Sequence, residues 1–149
     1  MKAEFSDYFT SIGMPGPFIR RLEALFEQIT FLCPEEIDFV FINDYIQEDG
    51  VREYDSALFF SKRYVLEAKQ FSTESSVDIA IYGDNITYLQ IEAEAYNYPS
   101  DEPTEKSRLN CIVRLGADSS DLGFELKASK ENCRHLVVII ESVIQPNLQ

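Results

Sequence analysis

Few side chains in this sequence have the types and spacing that chemistry demands. The single histidine, His135, stands two residues from Cys133. Positions i and i+2 of a helix point in different directions, and a thiolate–imidazole pair also needs a third group to orient the base. His135 is therefore expected to be a partly exposed position beside an apolar stripe. The three cysteines, Cys33, Cys111 and Cys133, are widely spaced and odd in number. They make neither a disulfide framework nor a CxxC metal pattern, and are expected to be reduced and mostly buried. Carboxylates are abundant, but abundance is not a site. Glu35-Glu36 and Glu48-Asp49 fall at expected strand entries and turns, and a hydrolytic pair needs two carboxyls about 5–10 Å apart across a cleft. A solvated acidic surface is the expectation. The run Asp101-Glu102-Pro103-Thr104-Glu105 lacks the ligand alternation and glycine of an EF-hand. No GxGxxG, GxxxxGK or GxSxG segment occurs. The expectation is no catalytic residue, no metal, no cofactor and no enzymatic activity.

One constellation is suited to binding. In the segment 86–98, Tyr88, Gln90, Glu92, Glu94, Tyr96 and Tyr98 occur at every second position. On a strand they share one face, while Leu89, Ile91, Ala93 and Ala95 share the other and are expected to be core. Exposed tyrosines bury area at low entropic cost and are enriched at contact surfaces. Tyr88, Glu92, Glu94, Tyr96 and Tyr98 are thus the candidate partner-binding residues. The alternative is that these tyrosines pack under the helices at the start of the chain.

The elements that must position this strand follow from pattern and composition. The chain has 149 residues, 45% hydrophobic, with 13 Lys plus Arg against 26 Asp plus Glu, a net charge of 13 − 26 = −13. At roughly 100–200 residues per domain this is domain-sized, and a chain of this size buries about 68–70% of its unfolded surface without staples. So acidic a balance argues against sequence-independent contact with DNA, RNA or anionic lipid, where Lys and Arg face phosphates. The start of the chain has no apolar run behind a basic segment, as a secretory leader would. Phe39–Ile42 and Leu136–Ile140, the most apolar stretches, fall far short of the ~20 residues that span a bilayer. With reduced thiols, this makes a cytoplasmic location and no membrane insertion the expectation.

Phe5, Tyr8, Phe9 and Ile12 have helical spacing, as do Phe18, Leu22, Leu25, Phe26 and Ile29 after the breaker Gly13–Pro17. Two helices are expected, the second closed by Pro34. From residue 36 the period becomes two. Strands are expected over about 36–47, 51–60, 64–71, 77–81, 86–98, 109–115 and 122–126, with Asp49-Gly50 as the clearest hairpin signal. Ser129 reads as the N-cap of a last helix carrying Cys133, Leu136, Val137, Ile140, Val143 and Ile144, stopped by Pro146. The helical residues 1–34 are expected as an extension and 35–149 as the main domain.

Seven antiparallel strands followed by one amphipathic helix resemble the pleckstrin-homology-like (PH-like) superfold, in its divergent, bacterial-type form. The segment Ala57-Leu58-Phe59-Phe60-Ser61-Lys62-Arg63-Tyr64-Val65-Leu66 resembles the second hairpin of such members, where a strand ends in a Ser/Thr–basic turn and restarts on an aromatic or aliphatic residue. The resemblance implies an α+β fold, a seven-stranded barrel or sandwich capped by the C-terminal helix and preceded here by two helices. Many phosphoinositide-binding members gather Lys and Arg around the first hairpin. Here that hairpin reads Asn43-Asp44-Tyr45-Ile46-Gln47-Glu48-Asp49-Gly50, with Arg52 as the one nearby base, and an acidic loop does not cradle an inositol phosphate.

The expected function is therefore a non-enzymatic adaptor or scaffold module that binds a protein or peptide and not phosphoinositides. Strand addition at the fifth strand is the expected mode, with a basic partner favoured by the acidic face and a homodimer as a further arrangement. Two alternatives come from other classes: an acidic cytosolic secretion-type chaperone holding an effector segment, and a small-ligand barrel. The second lacks a convergent polar set.

Overall fold

The computed structural model describes residues 1–73, 76–83, 85–94, 108–116 and 123–148. In chain order these form helix α1 (Ala3–Ser11), helix α2 (Gly16–Leu32) and strands β1 (Phe39–Ile46), β2 (Arg52–Phe60), β3 (Tyr64–Lys69), β4 (Asp78–Gly83), β5 (Ile86–Glu94), β6 (Arg108–Leu115) and β7 (Gly123–Ser129). Helix α3 (Asn132–Ile139) follows, continued by a π turn (Ile140–Ile144) and a 3-10 turn (Gln145–Asn147). The fold is α+β, with seven antiparallel strands in two sheets ordered β1-β2-β3-β4 and β5-β6-β7. Among the described residues the two ladders do not join into a closed ring.

The chain divides into two compact units: Met1–Ile42 with Tyr54–Tyr82, and Asn43–Glu53 with Gly83–Gln149. In the first, the stripe of α1 (Phe5, Tyr8, Phe9) and that of α2 (Leu22, Leu25, Ile29) share one core with Val40, Ile42, Ala57, Phe59, Leu66 and Phe71. Each fully buried side chain of this size contributes about 1.5–3 kcal/mol. Phe18 packs edge-on near Tyr54 and Phe71, and Phe26 packs tilted near Phe59, with centroids 6.1–6.5 Å apart. Two tyrosine hydroxyls fasten the helices: Tyr8 Oη accepts the Ile42 N–H at 2.9 Å, and Tyr54 Oη donates to the Ile12 carbonyl at 2.9 Å.

The expected polar/apolar alternation of β1 is absent, because Val40, Phe41, Ile42, Asn43 and Asp44 are all buried. The Asp49-Gly50 turn forms as its sequence dictates. Gly50 takes φ +87°, its N–H donates to the Gln47 carbonyl, and Asp49 Oδ1 accepts the Val51 N–H at 2.9 Å.

In the second unit, β6 is central. Cys111, Val113 and Leu115 of β6 and Phe124, Leu126 and Ala128 of β7 are buried on one face, over which α3 lies, packed on β7 and then β6. Two expectations about this end of the chain need correction. Ser129 is the last residue of β7 and not a helix N-cap: its N–H and hydroxyl both donate to Asp44, and the residue before the helix is Glu131, with no side-chain cap. Pro146 does not end the helical path but sits inside the 3-10 turn, where its missing N–H costs nothing in the first turn. No helix of the described residues is long and apolar enough to cross a membrane.

Candidate functional site

The site is built on the second unit's sheet, whose two outer strands differ sharply. The outer edge of β7 is closed by side chains. Asn43 Nδ2 donates to the Glu125 carbonyl at 2.8 Å, and Asn43 Oδ1 accepts the Lys127 N–H at 2.9 Å. Asp44 Oδ1 accepts the Ser129 N–H at 3.1 Å. Two consecutive side chains thus replace the ladder that a further strand would make.

Asp44 can do this because its charge is matched. Its side chain has no exposure, and Arg52 Nε donates to Oδ2 at 2.7 Å. Ser129 Oγ donates to Oδ2, and Asn132 Nδ2 donates to Oδ1 at 2.6 Å. Arg52 also reaches Glu131 at 2.6 Å. Burial works to raise the Glu131 carboxyl, but the hydrogen bonds from Arg52 and its own backbone, with the Arg52 and Lys130 charges, outweigh it and hold the group below its ordinary range. The expectation of a wholly solvated acidic surface fails at Asp44, and also at Glu67 of the first unit, which is buried with its carboxyl raised by desolvation.

By contrast, β5 pairs only with β6 along its length among the described residues. Its free edge carries one isolated parallel bridge, Ile86 to Leu148. Its outer-face side chains form a hydrogen-bonded row: Tyr88 Oη donates to Gln90 Oε1 at 2.9 Å, and Gln90 Nε2 donates to Glu92 Oε1 at 3.1 Å. Arg114 lies over the Tyr88 ring at 5.7 Å. Tyr88 is 44% exposed and Glu92 exposed. Glu94 is the last strand residue, in register with Arg108. Tyr96, Tyr98 and Ala95 lie outside the described residues, so the row is seen from Tyr88 to Glu92. The expected core face of β5 is corrected: Ile91 is 48% exposed, Ala93 is exposed and Leu89 only half-buried. They do share a face with Cys111 and Val113, but α3 packs mainly over β7, two strands away.

A cleft of about 380 Å³ opens at the same end of this sheet, lined by Asp44, Tyr45 and Ile46, by Glu92 and Ala93, by Arg108–Asn110 and by Lys127–Ser129. Lys127 Nζ stands 5.8 Å over the Tyr45 ring. The Oδ1 of Asn110 is buried there with no hydrogen-bond partner. Asn43, Asp44, Asn110 and Lys127 are site residues that sequence reasoning missed. Their roles depend on pairings across many tens of residues, and no local pattern marks them.

The chemical candidates are quiet. Burial pushes the Cys111 thiol up to about 12 and that of Cys133 up to about 11, so both are protonated and unreactive at neutral pH. His135 is half-buried, and desolvation lowers its pKa against the opposing charge of Glu131. Among the described residues no three His, Cys, Asp or Glu side chains converge as a metal site would require. No protein-family model matches this chain, and no curated protein and no solved structure is significantly similar to it.

Proposed function

We propose that this chain is a non-enzymatic protein-interaction module of the PH-like superfold that takes an extended peptide along the free edge of β5. The observation that carries the reading is the asymmetry of the second sheet. The β7 edge is closed by Asn43 and Asp44, while among the described residues the outer edge of β5 pairs with no strand beyond the single Ile86–Leu148 bridge and lies beside an ordered row of polar side chains. Main-chain hydrogen bonds to such an edge supply affinity, and pockets for alternate side chains supply specificity. The PH-like reading rests on the order of elements alone: seven strands, four then three, with a helix after the last.

Phosphoinositides are not the ligand in this reading. The hairpin tip presents Glu48 and Asp49, and the base nearest to it in sequence, Arg52, is engaged by two carboxylates. A cytoplasmic setting suits the protonated thiols.

Phage-displayed peptides selected against the full chain, followed by amide hydrogen exchange, test the proposal. Selected peptides are expected to protect Tyr88–Glu92, and Tyr88→Ala to weaken them. Protection confined to other elements, or tight binding to phosphoinositide vesicles at physiological salt, overturns it.

A further inference from the structure

Two features of β5 bear on the composition of a segment added at its outer edge. The first lies on the face shared with α3. Leu89 pairs in register with Val113, and Ile91 with Cys111. Both β6 partners are wholly buried, yet Ile91 is 48% exposed, Ala93 is exposed and Leu89 is half-buried. The helix packs over β7 and then β6, so this apolar row ends at β5 partly in water. A strand added beside β5 continues the row, because residues directly opposite in a sheet share a face. Burial of that area favours apolar side chains opposite Leu89, Ile91 and Ala93.

The second feature is the charge along the other face. Arg114 is in register with Tyr88, and its guanidinium lies 5.7 Å over that ring. Further along, Glu92 is exposed and takes a hydrogen bond from the neutral Gln90, with no ion pair among the described residues. The strand thus has a cation at its Tyr88 end and a carboxylate at Glu92. A residue added opposite Glu92 stands one strand spacing from it, about 4.8 Å. Lys127 is two strands beyond Glu92 in the same row, about 14 Å from the added residue, and its Nζ is turned to the Tyr45 ring. That separation exceeds the Debye length of about 8 Å at physiological salt. Arg108 is in register with Glu94 instead. Opposite charges directly across strands attract and like charges repel. A lysine or arginine therefore suits the position opposite Glu92 and not the one opposite Tyr88.

We propose that the occupant of this edge is an extended peptide running antiparallel to β5, with apolar side chains opposite Leu89, Ile91 and Ala93 and a lysine or arginine opposite Glu92. The proposal rests on the strand-addition reading and adds its register. Regular pairing of β5 runs from Tyr88 to Glu94, since a register shift and the Leu148 bridge both fall at its start. The direction follows the other pairings of this sheet, all antiparallel.

The test titrates the full chain with three seven-residue peptides. The first, Ac-Thr-Val-Lys-Val-Thr-Val-Thr-NH2, sets its Lys opposite Glu92. The second moves the Lys to the last position, opposite Tyr88, and the third carries Glu in place of the Lys at position three. Calorimetry measures binding and amide hydrogen exchange locates it. The first peptide is expected to protect Tyr88–Glu92 and to bind about three- to tenfold tighter than the other two. Glu92→Gln should erase that advantage, and Glu92→Lys should make the Glu peptide the tightest. Ile91→Ser should weaken all three. Equal binding of the three, or an advantage that survives Glu92→Gln, overturns the charge register, while β5 protection keeps strand addition standing. Unchanged binding to Ile91→Ser overturns the apolar face. If these peptides leave β5 unprotected but phage-selected ones protect it, the proposed pattern alone fails. If the selected peptides also leave it unprotected, strand addition fails with it. Protection of Tyr88–Glu92 that rises with protein concentration, without peptide, gives the edge to a second copy and overturns the proposal.

Discussion

Removing the Asp44 carboxylate tests the central claim about the second unit, that one buried acid both anchors Arg52 and closes a sheet edge. In Asp44→Ala the Arg52 guanidinium, whose side chain is 14% exposed, keeps Glu131 but loses its fully buried partner. The Ser129 N–H and hydroxyl and the Asn132 amide all lose this acceptor in a buried setting. Breaking a buried ion pair from one side costs about 3–5 kcal/mol, because a charge is left without its match. The unpaired donors act in the same direction, at about 1–3 kcal/mol each but not additively. Against a total stability of roughly 5–15 kcal/mol, the loss is large. With a urea m-value of about 2 kcal/mol/M, the midpoint should fall by about 2 M. Urea unfolding followed by circular dichroism gives the number, and amide exchange locates it: Lys127 and Ser129 should lose protection before the core of the first unit. The double variant Asp44→Ala with Arg52→Met should be more stable than additivity predicts, since each single change already removes the one Asp44–Arg52 interaction. A single-variant loss under about 1 kcal/mol, or strict additivity of the two changes, refutes the reasoning.

Other outcomes follow from the same reading. Glu67 accepts hydrogen bonds from Tyr82 at 3.2 Å and Ser56 at 3.5 Å, and desolvation raises its carboxyl, so its ionisation opposes folding. Glu67→Gln should therefore stabilise at neutral pH, the advantage growing as pH rises from the unfolded toward the folded pKa and vanishing in acid; a pH series of urea midpoints checks it. Glu131 runs the opposite way: its lowered carboxyl adds stability above the unfolded pKa that is lost as pH falls through the folded one, and Glu131→Gln should flatten that part of the profile. At Gly123, a Cβ would stand 2.1 Å from the Val113 carbonyl oxygen and 3.0 Å from Arg114 Cα. Since backbone cannot yield as a side chain can, Gly123→Ala should cost more than about 2 kcal/mol and loosen the β6–β7 ladder, measured by thermal unfolding and exchange at Arg114.

What was legible in the sequence was whatever a short window of residues decides. The stripes Phe5–Ile12 and Phe18–Ile29 became α1 and α2, because spacing alone tells an isolated segment which face to bury. Asp49-Gly50 turned where positive φ was needed, and the Ser61–Arg63 turn closed by the Ser61 N–H on the Tyr64 carbonyl. All seven strands lie where period two placed them, with ends shifted by a few residues. Tertiary partners decided the rest. Ser129 beside an apolar run looks like a helix cap, but Asp44, 85 residues away, offered a buried acceptor and took it. Asn43 and Asp44 look like polar loop residues, yet both are core because β7 needed its edge filled. The alternation in β5 correctly put Leu89 and Ile91 with Cys111 and Val113. It could not reveal that α3 packs over the far strand, which leaves Ile91 half in water.

The arrangement of edge and charge also bears on which partner β5 would accept under the strand-addition proposal. Exposed strand edges are templates for any second strand, including a copy of the same chain, and proteins guard them with charged side chains. Here the guard is acidic. Glu92 stands on the outer face of the exposed strand, at the mouth of the cleft, in a chain carrying −13 overall. Pairing β5 with β5 of a second copy would bring two Glu92 side chains and two such net charges together. That opposes self-association most strongly at low salt, where screening is weak. Under the strand-addition proposal, a short neutral or basic peptide would meet less repulsion and would find the outer backbone edge of Tyr88–Glu92, which pairs with no strand among the described residues. On that proposal the acidic excess would do more than disfavour polyanions. On this edge it would favour a foreign peptide over a second copy of the chain, while the β7 edge, closed by Asn43 and Asp44, would offer neither of them a ladder in the same sheet.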